Sequence, residues 1–466
     1  MPINDFNGKA LIIVSSTAQI EMFRLIVDYL DDYSIKFVNT EIFFMLPEME
    51  YCFRRYGLDF MSIDNWSMEI VYEILRSENP DIIVTGHDQN PMDILFIKAC
   101  NELGLPSLTV QDGLLAASRT INESFFYKLE YIFIPFRVLK LIFNPNRSFK
   151  YKINRLWFEY KYGGDYSFVY GHGDSSKIAL FGDTVKNMLI SEGVSSERLE
   201  VTGNSKFDNL IQFKDPLKKD FLKEKFEIPS DKKVILVLTQ WFVEAGLWSK
   251  KDREYFIVEI AKACVNLKDV QLVIKLHPPY EKEADYREIL KDLPISPLIY
   301  NFQSLHEIIC ISDVVVSVSS TAALEAMALN KPLLIINMDH GSKLFKDGGV
   351  LFIEKQDQIL NALEKLLYHP HEFVNEDKMR QFVFNQAYII DGNASKRISD
   401  LIREMVHDNR LVYSGIPSEL NSIHVDGFPL SFHRIIFNLK KIFKENWSYY
   451  LGVGFILSLI LLVVRG

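Results

Sequence analysis

The sequence predicts an α/β protein with parallel β-sheets. Short β-branched runs alternate with helix-forming segments along most of the chain, which is typical of parallel strands joined by crossover helices. The clearest case is residues 313–337, DVVVSVSSTAALEAMALNKPLLIIN, which has the pattern strand, hydroxyl-rich turn, helix, strand. The 466 residues suffice for two or three domains, and the 48% hydrophobic and 24% charged content is ordinary for a globular protein.

The first half of the chain is predicted to form one alternating unit. Its predicted strands are 10–14, 35–38, 81–85, 107–110, 178–181 and 199–201, and its predicted helices are 19–30, 68–76 and 93–103. A polar stretch at 214–233 is predicted to be a linker with a helix. The second unit has predicted strands 234–239, 272–276, 314–318, 333–336 and 350–353, and predicted helices 253–266, 305–311, 322–329, 358–368 and 394–405. We therefore assign residues 1–213 and 214–406 to two domains.

The last sixty residues have a different composition. Residues 408–429 have the character of a tether, and we assign 407–446 to a tether with a basic flank. Residues 447–464, WSYYLGVGFILSLILLVV, carry no charge and approach the ~20 residues that span a bilayer. Aromatic residues lie at one edge of this segment, and the basic flank upstream is expected on the cytoplasmic side. We expect a transmembrane anchor with both domains in the cytoplasm; the alternative is a buried terminal helix.

Overall charge and cysteine content exclude several classes of protein. The formal net charge of −9 argues against a general nucleic-acid-binding protein. The four cysteines are scattered and form no metal-ligand spacing, so neither a disulfide framework nor a zinc site is expected. Residues 125–162 are locally basic and aromatic, which fits either a membrane-surface or lipid-accepting segment or a core helix pair with basic edges.

The hydroxyl-rich turn is the first candidate site. Ser319, Ser320 and Thr321 stand where a helix begins, and the unpaired N–H groups there attract anions such as phosphate. Glu325 lies four residues after Thr321 on the same helix face, where a carboxylate can accept hydrogen bonds from ribose hydroxyls. The alternative is an ordinary capped helix with a solvated glutamate.

Further polar groups follow other predicted strands. His277, in the run KLHP, follows an apolar strand, and ligands of open α/β sheets bind beyond the carboxyl ends of strands. Gly203 permits a tight turn, and Asn204 can cap the segment that follows it. Each of the three also has a purely structural interpretation.

Carboxylates follow two strands of the first half. Asp112, in the run QDG, can act as a general base, and His87 and Asp88, in the run GHDQN, are alternatives. Turns often have the same composition. The chain has no GxxxxGK[ST], no GxGxxG after the first strand and no D-x-D, so P-loop, dinucleotide and metal-dependent nucleotide-sugar sites lack their motifs.

Six motifs in order resemble the GT-B glycosyltransferases, in the branch near UDP-N-acetylglucosamine 2-epimerase and the surface-polysaccharide transferases of polysialyl and teichoic type. They are QDG from residue 111, GDTVKNMLISEGVSSERLEVTGNSKFD from 182, LTQ from 238, KLHP from 275, the segment from 313, and DGNASKRISDLI from 391. The resemblance implies two Rossmann-like domains facing a cleft. It implies that the second domain binds the nucleotide sugar, with a last helix that crosses back to the first domain. The nucleotide-binding residues implied by position are Gly203, Asn204, Gln240, His277, Ser319, Ser320, Thr321 and Glu325.

Two departures from the family pattern decide between activities. The epimerases carry a histidine and arginines in a THRREN-like run, but here residues 239–244 read TQWFVE and only Glu244 remains. The related transferases often have histidine in the QDG position, where this chain has Asp112. We therefore expect a metal-independent, membrane-anchored glycosyltransferase that needs no cofactor. It would transfer a sugar from a nucleotide donor to a lipid-linked or surface-polysaccharide acceptor. The alternatives are a nucleotide-sugar epimerase and a non-enzymatic binding scaffold.

Overall fold

The computed structural model describes residues 8–41, 46–114, 149–162, 170–215, 217–244, 247–277, 280–338 and 341–413. Two parallel sheets, each with helices on both faces, form two α/β units. The transmembrane segment expected at 447–464 and most of the basic segment 125–162 lie outside the described residues. No helix among those described is both long and apolar enough to cross a bilayer.

The first unit contains a seven-stranded parallel sheet in the order β3-β2-β1-β4-β5-β6-β7. Its elements are β1 (Gly8–Val14), α1 (Thr17–Val27), β2 (Tyr33–Asn39), α2 (Leu46–Tyr56), β3 (Phe60–Ser62), α3 (Met68–Glu78), β4 (Ile82–Thr85), α4 (Pro91–Leu103), β5 (Ser107–Val110), α5 (Phe149–Tyr162), β6 (Lys177–Leu180), α6 (Asp183–Ser191) and β7 (Leu199–Val201). A 3₁₀ segment, Ser205–Phe213, leads out of it.

The second unit contains a six-stranded parallel sheet in the order β10-β9-β8-β11-β12-β13. Its elements are α7 (Leu217–Lys225), β8 (Lys233–Leu238), α8 (Lys250–Asn266), β9 (Val270–Lys275), α9 (Glu283–Leu290), β10 (Leu298–Tyr300), α10 (Leu305–Ile311), β11 (Val314–Ser317), α11 (Thr321–Ala328), β12 (Leu333–Ile336), β13 (Leu351–Ile353), α12 (Ile359–Tyr368), α13 (Pro370–Phe373) and α14 (Glu376–Ala387). A last helix, α15 (Ala394–Tyr413), follows.

Both sheets have the strand order of a doubly wound fold. In each, the chain runs outward from a central strand, returns, and continues on the other side, so β1 lies beside β4 and β8 beside β11. Ligands of such sheets bind beyond the carboxyl ends of the strands where the order reverses. The central strands are buried on both faces, which explains their β-branched, uniformly apolar sequences.

The last helix belongs by packing to the first unit. Ile398, Ile402 and Val406 of α15 are buried in the core formed by β1, β4 and α1. Arg403 donates to Asp32 at 2.6 and 3.0 Å, and buried apolar groups together with this pair fix the helix across the sheet. The crossing helix expected from the family resemblance is therefore confirmed. It continues to Tyr413, seven residues into the segment from 407 that the sequence assigns to the tether.

The sequence prediction missed several elements. The missed elements are α2, β3, α6, α9, β10, α13 and α14. Two of the missed strands, β3 and β10, have only three residues each and lie at the edges of their sheets, where burial on one side leaves a weak hydrophobic pattern. The helix α14 is polar overall, so its apolar stripe is thin.

Candidate active site

The hydroxyl-rich turn begins α11 as expected. Ser320 is the N-cap residue, and its side chain accepts a hydrogen bond from the amide of Ala322 at 3.2 Å. The amide of Ser319 donates to Oε1 of Gln240 at 3.2 Å, and Nε2 of Gln240 lies 3.3 Å from the Ser319 hydroxyl. Gln240 follows β8, so the carboxyl ends of β8 and β11 meet at this turn. The positive end of the α11 dipole, which favours anions, therefore lies at the carboxyl ends of β8 and β11.

Glu325 is held in place beneath that turn. Its side chain is buried, and its carboxylate lies 2.7 Å from Nε2 of His306 in α10. The sequence prediction placed Glu325 on the same face of the helix as Thr321 but did not single out His306. The contact with His306 fixes the direction of the Glu325 carboxylate.

His277 lies on the other side of β8. It follows β9, and its backbone amide donates to Oε2 of Glu281 at 2.8 Å. Its ring lies 5.7 Å from the ring of Tyr280, which stacks on Trp241 at 4.5 Å. Because β9, β8 and β11 are adjacent and parallel, His277 and the hydroxyl-rich turn both lie at the carboxyl ends of the strands of the second sheet.

His87 and Asp112 form an ion pair at the carboxyl ends of β4 and β5 in the first sheet. Nε2 of His87 lies 3.0 Å from Oδ1 of Asp112, and Nε2 of Gln19 donates to Oδ2 of Asp112 at 3.0 Å. The side chains of His87 and Asp112 are 28% and 15% exposed to solvent, so the pair is partly accessible. The structure therefore brings together two of the three candidate bases, and Gln19 of α1 holds the second oxygen of Asp112.

Asp88 has a different environment. It is fully buried, and its Oδ2 accepts the backbone amides of Gly171 and Gly173 at 2.8 and 2.9 Å. These bonds fix the loop that follows α5. The carboxylate of Asp88 therefore binds backbone amides, whereas the carboxylate of Asp112 pairs with the imidazole of His87.

The electrostatics of this cluster favour a charged pair. Burial disfavours the charge of His87, but the carboxylates of Asp112, Asp93 and Asp88 outweigh burial and raise the pKa of His87 to about 9. Burial also disfavours the charge of Asp112, yet attraction and a hydrogen bond from His87 hold the pKa of Asp112 below its ordinary value. At neutral pH the pair is an imidazolium beside a carboxylate.

Asp93 is a member of the cluster that the sequence prediction overlooked. Its carboxyl is buried in the first turn of α4 and accepts a hydrogen bond from Nδ2 of Asn90 at 3.0 Å. Burial raises the pKa of Asp93 to about 8, so Asp93 is mainly neutral at pH 7. It adds a proton to the cluster and little negative charge.

Gly203 and Asn204 lie at the carboxyl end of β7, in the first sheet. Gly203 has φ +78°, the left-handed region that favours glycine. The side chain of Asn204 accepts the amide of Lys206 at 2.8 Å and donates to the carbonyl of Gln111 at 3.2 Å. Asn204 thus supports the turn that carries Asp112, on the opposite side of the cleft from α11.

The two candidate half-sites meet directly. The amide of Leu114, just after the QDG turn, donates to Oγ1 of Thr321 at 3.3 Å. The residue two positions after Asp112 therefore contacts the start of α11 across the cleft. Among the described residues, no group of three or more His, Cys, Asp or Glu side chains is arranged to hold a metal ion.

Comparison with known proteins agrees with this architecture. Residues 178–403 match the family described as UDP-N-acetylglucosamine 2-epimerase. The UDP-GlcNAc 2-epimerase of Neisseria meningitidis, solved with UDP-GlcNAc bound, superposes with a TM-score of 0.56 at 17% identity, covering 85% of this chain and all of that one. The chain has the GT-B fold. The two parallel α/β units and the returning α15 are consistent with that fold.

Two curated relatives are transferases. The chain is 25% identical over 259 residues to a teichoic acid poly(ribitol-phosphate) polymerase of Bacillus spizizenii, covering 52% of this chain and 39% of that one. It is 23% identical over 246 residues to a processive diacylglycerol beta-glucosyltransferase of Bacillus licheniformis, covering 51% and 59%. The chain thus spans about two fifths and three fifths of the lengths of these relatives.

Proposed function

We propose that this GT-B protein is a glycosyltransferase that moves a sugar from a nucleotide-activated donor to a lipid-linked or surface-polysaccharide acceptor. The observation that carries the proposal is the contact between the half-sites, Leu114 to Thr321 at 3.3 Å. It puts a carboxylate–imidazolium pair next to an anion-binding helix start. A displacement reaction needs one group to accept a proton and another to stabilise a departing phosphate.

The donor half uses the second domain. The amides at the start of α11 and the hydroxyls of Ser319, Ser320 and Thr321 bind the diphosphate, while Glu325 accepts hydrogen bonds from the ribose. The positive end of the helix stabilises the charge that develops on the leaving phosphate oxygen. The nucleotide sugar bound to the N. meningitidis relative supports this choice of donor. We propose that this electrostatic assistance replaces a metal ion.

The acceptor half uses the first domain. An acceptor oxygen forms a bond to the anomeric carbon as the bond from that carbon to the phosphate oxygen breaks. The hydroxyl proton passes to the carboxylate of Asp112. Gln19 and His87 hold that carboxylate in place, one at each oxygen. The hydroxyl becomes more acidic as its oxygen bonds to carbon, which suits a base with a lowered pKa.

The proposed acceptor is at a membrane. The helix α5 exposes Ile153 and Trp157, four residues apart, at 49% and 57%. Tryptophan with basic neighbours on a helix favours the membrane interface. The names of the two curated relatives, a teichoic acid polymerase and a diacylglycerol glucosyltransferase, point to envelope and lipid acceptors. We propose that the segment 447–464 anchors the protein with both domains in the cytoplasm.

An epimerase is the second candidate. The family match over residues 178–403 and the fold are as consistent with an epimerase as with a transferase. Against it stands the absence of the histidine and arginines from residues 239–244 and the engagement of the remaining Glu244 in an ion pair with Arg253. We therefore rank transfer first.

The two activities separate in one assay. The purified full-length chain is incubated with UDP-sugars, first alone and then with a membrane extract. A transferase releases nucleotide diphosphate only with the extract and labels a lipid or polymer. An epimerase converts the sugar without any acceptor.

A further inference from the structure

Glu281 is a buried carboxylate in the second domain that no part of the proposed reaction uses. Its side chain is 1% exposed. Oε2 accepts the hydroxyl of Thr239 and the backbone amide of His277, and Oε1 accepts the hydroxyl of Tyr286. A buried carboxylate is costly unless its oxygens are hydrogen-bonded, and here both are.

The bonds to Oε2 join two turns of the candidate donor site. Thr239, the middle residue of the LTQ run, directly follows β8, and His277, in the KLHP run, comes two residues after the end of β9. Apart from Glu281, the amide of Thr239 donates to the carbonyl oxygen of Lys275 in β9 at 3.1 Å, and the Thr239 hydroxyl lies 3.0 Å from the same oxygen. The two turns are therefore locked side by side.

The same network reaches the hydroxyl-rich turn. Gln240, next to Thr239, exchanges two hydrogen bonds with Ser319 at 3.2 and 3.3 Å. A continuous path thus runs from His277 through Glu281, Thr239 and Gln240 to Ser319. The two ends of this path, His277 and Ser319, follow the strands β9 and β11 that lie on either side of β8.

We infer that Glu281 is a positioning residue that sets the spacing between His277 and the start of α11, so that both bind one nucleotide diphosphate at once. The inference rests on the proposed donor site. Two groups held at a fixed separation bind a two-phosphate ligand without ordering a loop first, which lowers the entropic cost of binding. Loss of the Glu281 contact frees the KLHP turn, and donor affinity falls.

The test uses Thr239, whose substitution changes little volume. Thr239→Val removes the hydroxyl that donates to Glu281, and Thr239→Ser keeps it. We expect Thr239→Val to weaken UDP binding by about tenfold, as loss of one hydrogen bond to a buried charge predicts, and Thr239→Ser to remain within about twofold. Calorimetric titration of the full-length chain in detergent with UDP, CDP and GDP measures the affinities, and melting temperatures are recorded in parallel.

A second pair of variants removes the carboxylate itself. Glu281→Leu is compared with Glu283→Leu, which changes an exposed glutamate two residues away. We expect Glu281→Leu alone to raise the KM for donor by tenfold or more in the folded fraction while kcat stays within about twofold. A merely structural role lowers the melting temperature and the active fraction, but leaves KM and UDP affinity unchanged.

The outcomes distinguish failure of the positioning role of Glu281 from failure of the proposed donor site. If Thr239→Val and Thr239→Ser bind nucleotide as tightly as the wild-type chain, the positioning role is wrong and the proposed function stands. If the wild-type chain binds none of the three nucleotides, the donor site is wrong and the inference fails with it.

Discussion

At the scale of single residues, the pair of Asp112 and His87 carries the proposed chemistry. Replacing Asp112 with asparagine removes the proton acceptor but keeps the size of the side chain. We expect transfer to fall by a factor on the order of 10²–10⁴. UDP affinity, measured by titration, should change little because the proposed nucleotide site lies on the other domain. Full transfer by Asp112→Asn would exclude Asp112 as the base.

The pH dependence distinguishes Asp112 from His87 as the base. The pKa of Asp112 is held below its ordinary value by His87, and the pKa of His87 is raised to about 9. If Asp112 accepts the proton, the transfer rate under saturating donor should be flat from about pH 5.5 to 8. A rate that climbs tenfold per pH unit toward about 9 would instead assign the proton to neutral His87.

Asp93 provides a stability test of the same cluster. Burial raises the pKa of Asp93 to about 8, so the folded state keeps a proton that the unfolded state loses near pH 4. The stability that the protonated Asp93 contributes is fully present below the pKa of Asp93 in the unfolded chain. It is lost as the pH rises through the folded-state pKa of about 8. The free energy of unfolding of the wild-type chain should therefore fall relative to Asp93→Asn between pH 5 and 8. Denaturation at several pH values measures this; a difference that is constant with pH would refute it.

At the scale of elements, the last helix holds the first domain together. Ile402 of α15 is buried among residues of β1 and α1, although it follows the second domain in sequence. We expect Ile402→Ala to cost about 2–5 kcal/mol, the usual range for a truncated core isoleucine. Chemical denaturation compares it with Glu404→Ala on the exposed face of the same helix. Equal stability of the two variants would show that α15 does not belong to this core.

The elements also show what a sequence can predict. The strand β12 is buried along its whole length, and its uniformly apolar run LLII gave its bounds correctly. Short edge strands and polar helices lack that signal. The hydroxyl-rich turn was located because its motif is contiguous. The contacts of Asp112 with His87 and Gln19 join three separate loops, and only the strand order of the sheet brings those loops together.

At the scale of the whole molecule, function depends on two sheets whose strand ends face one cleft. Each sheet supplies half of the candidate site: a proton acceptor from the first and an anion-binding helix start from the second. The hydrogen bond between Leu114 and Thr321 is the point where they meet.

The most direct test of the account follows the fate of the donor. Radiolabelled UDP-sugars are incubated with the full-length chain, with and without a membrane extract, and both the sugar and the nucleotide products are separated. We predict that UDP is released and label enters a lipid or polymer only when the extract is present, and that Asp112→Asn lowers both by a factor on the order of 10²–10⁴. Conversion of the UDP-sugar to its epimer in the absence of extract would contradict the account.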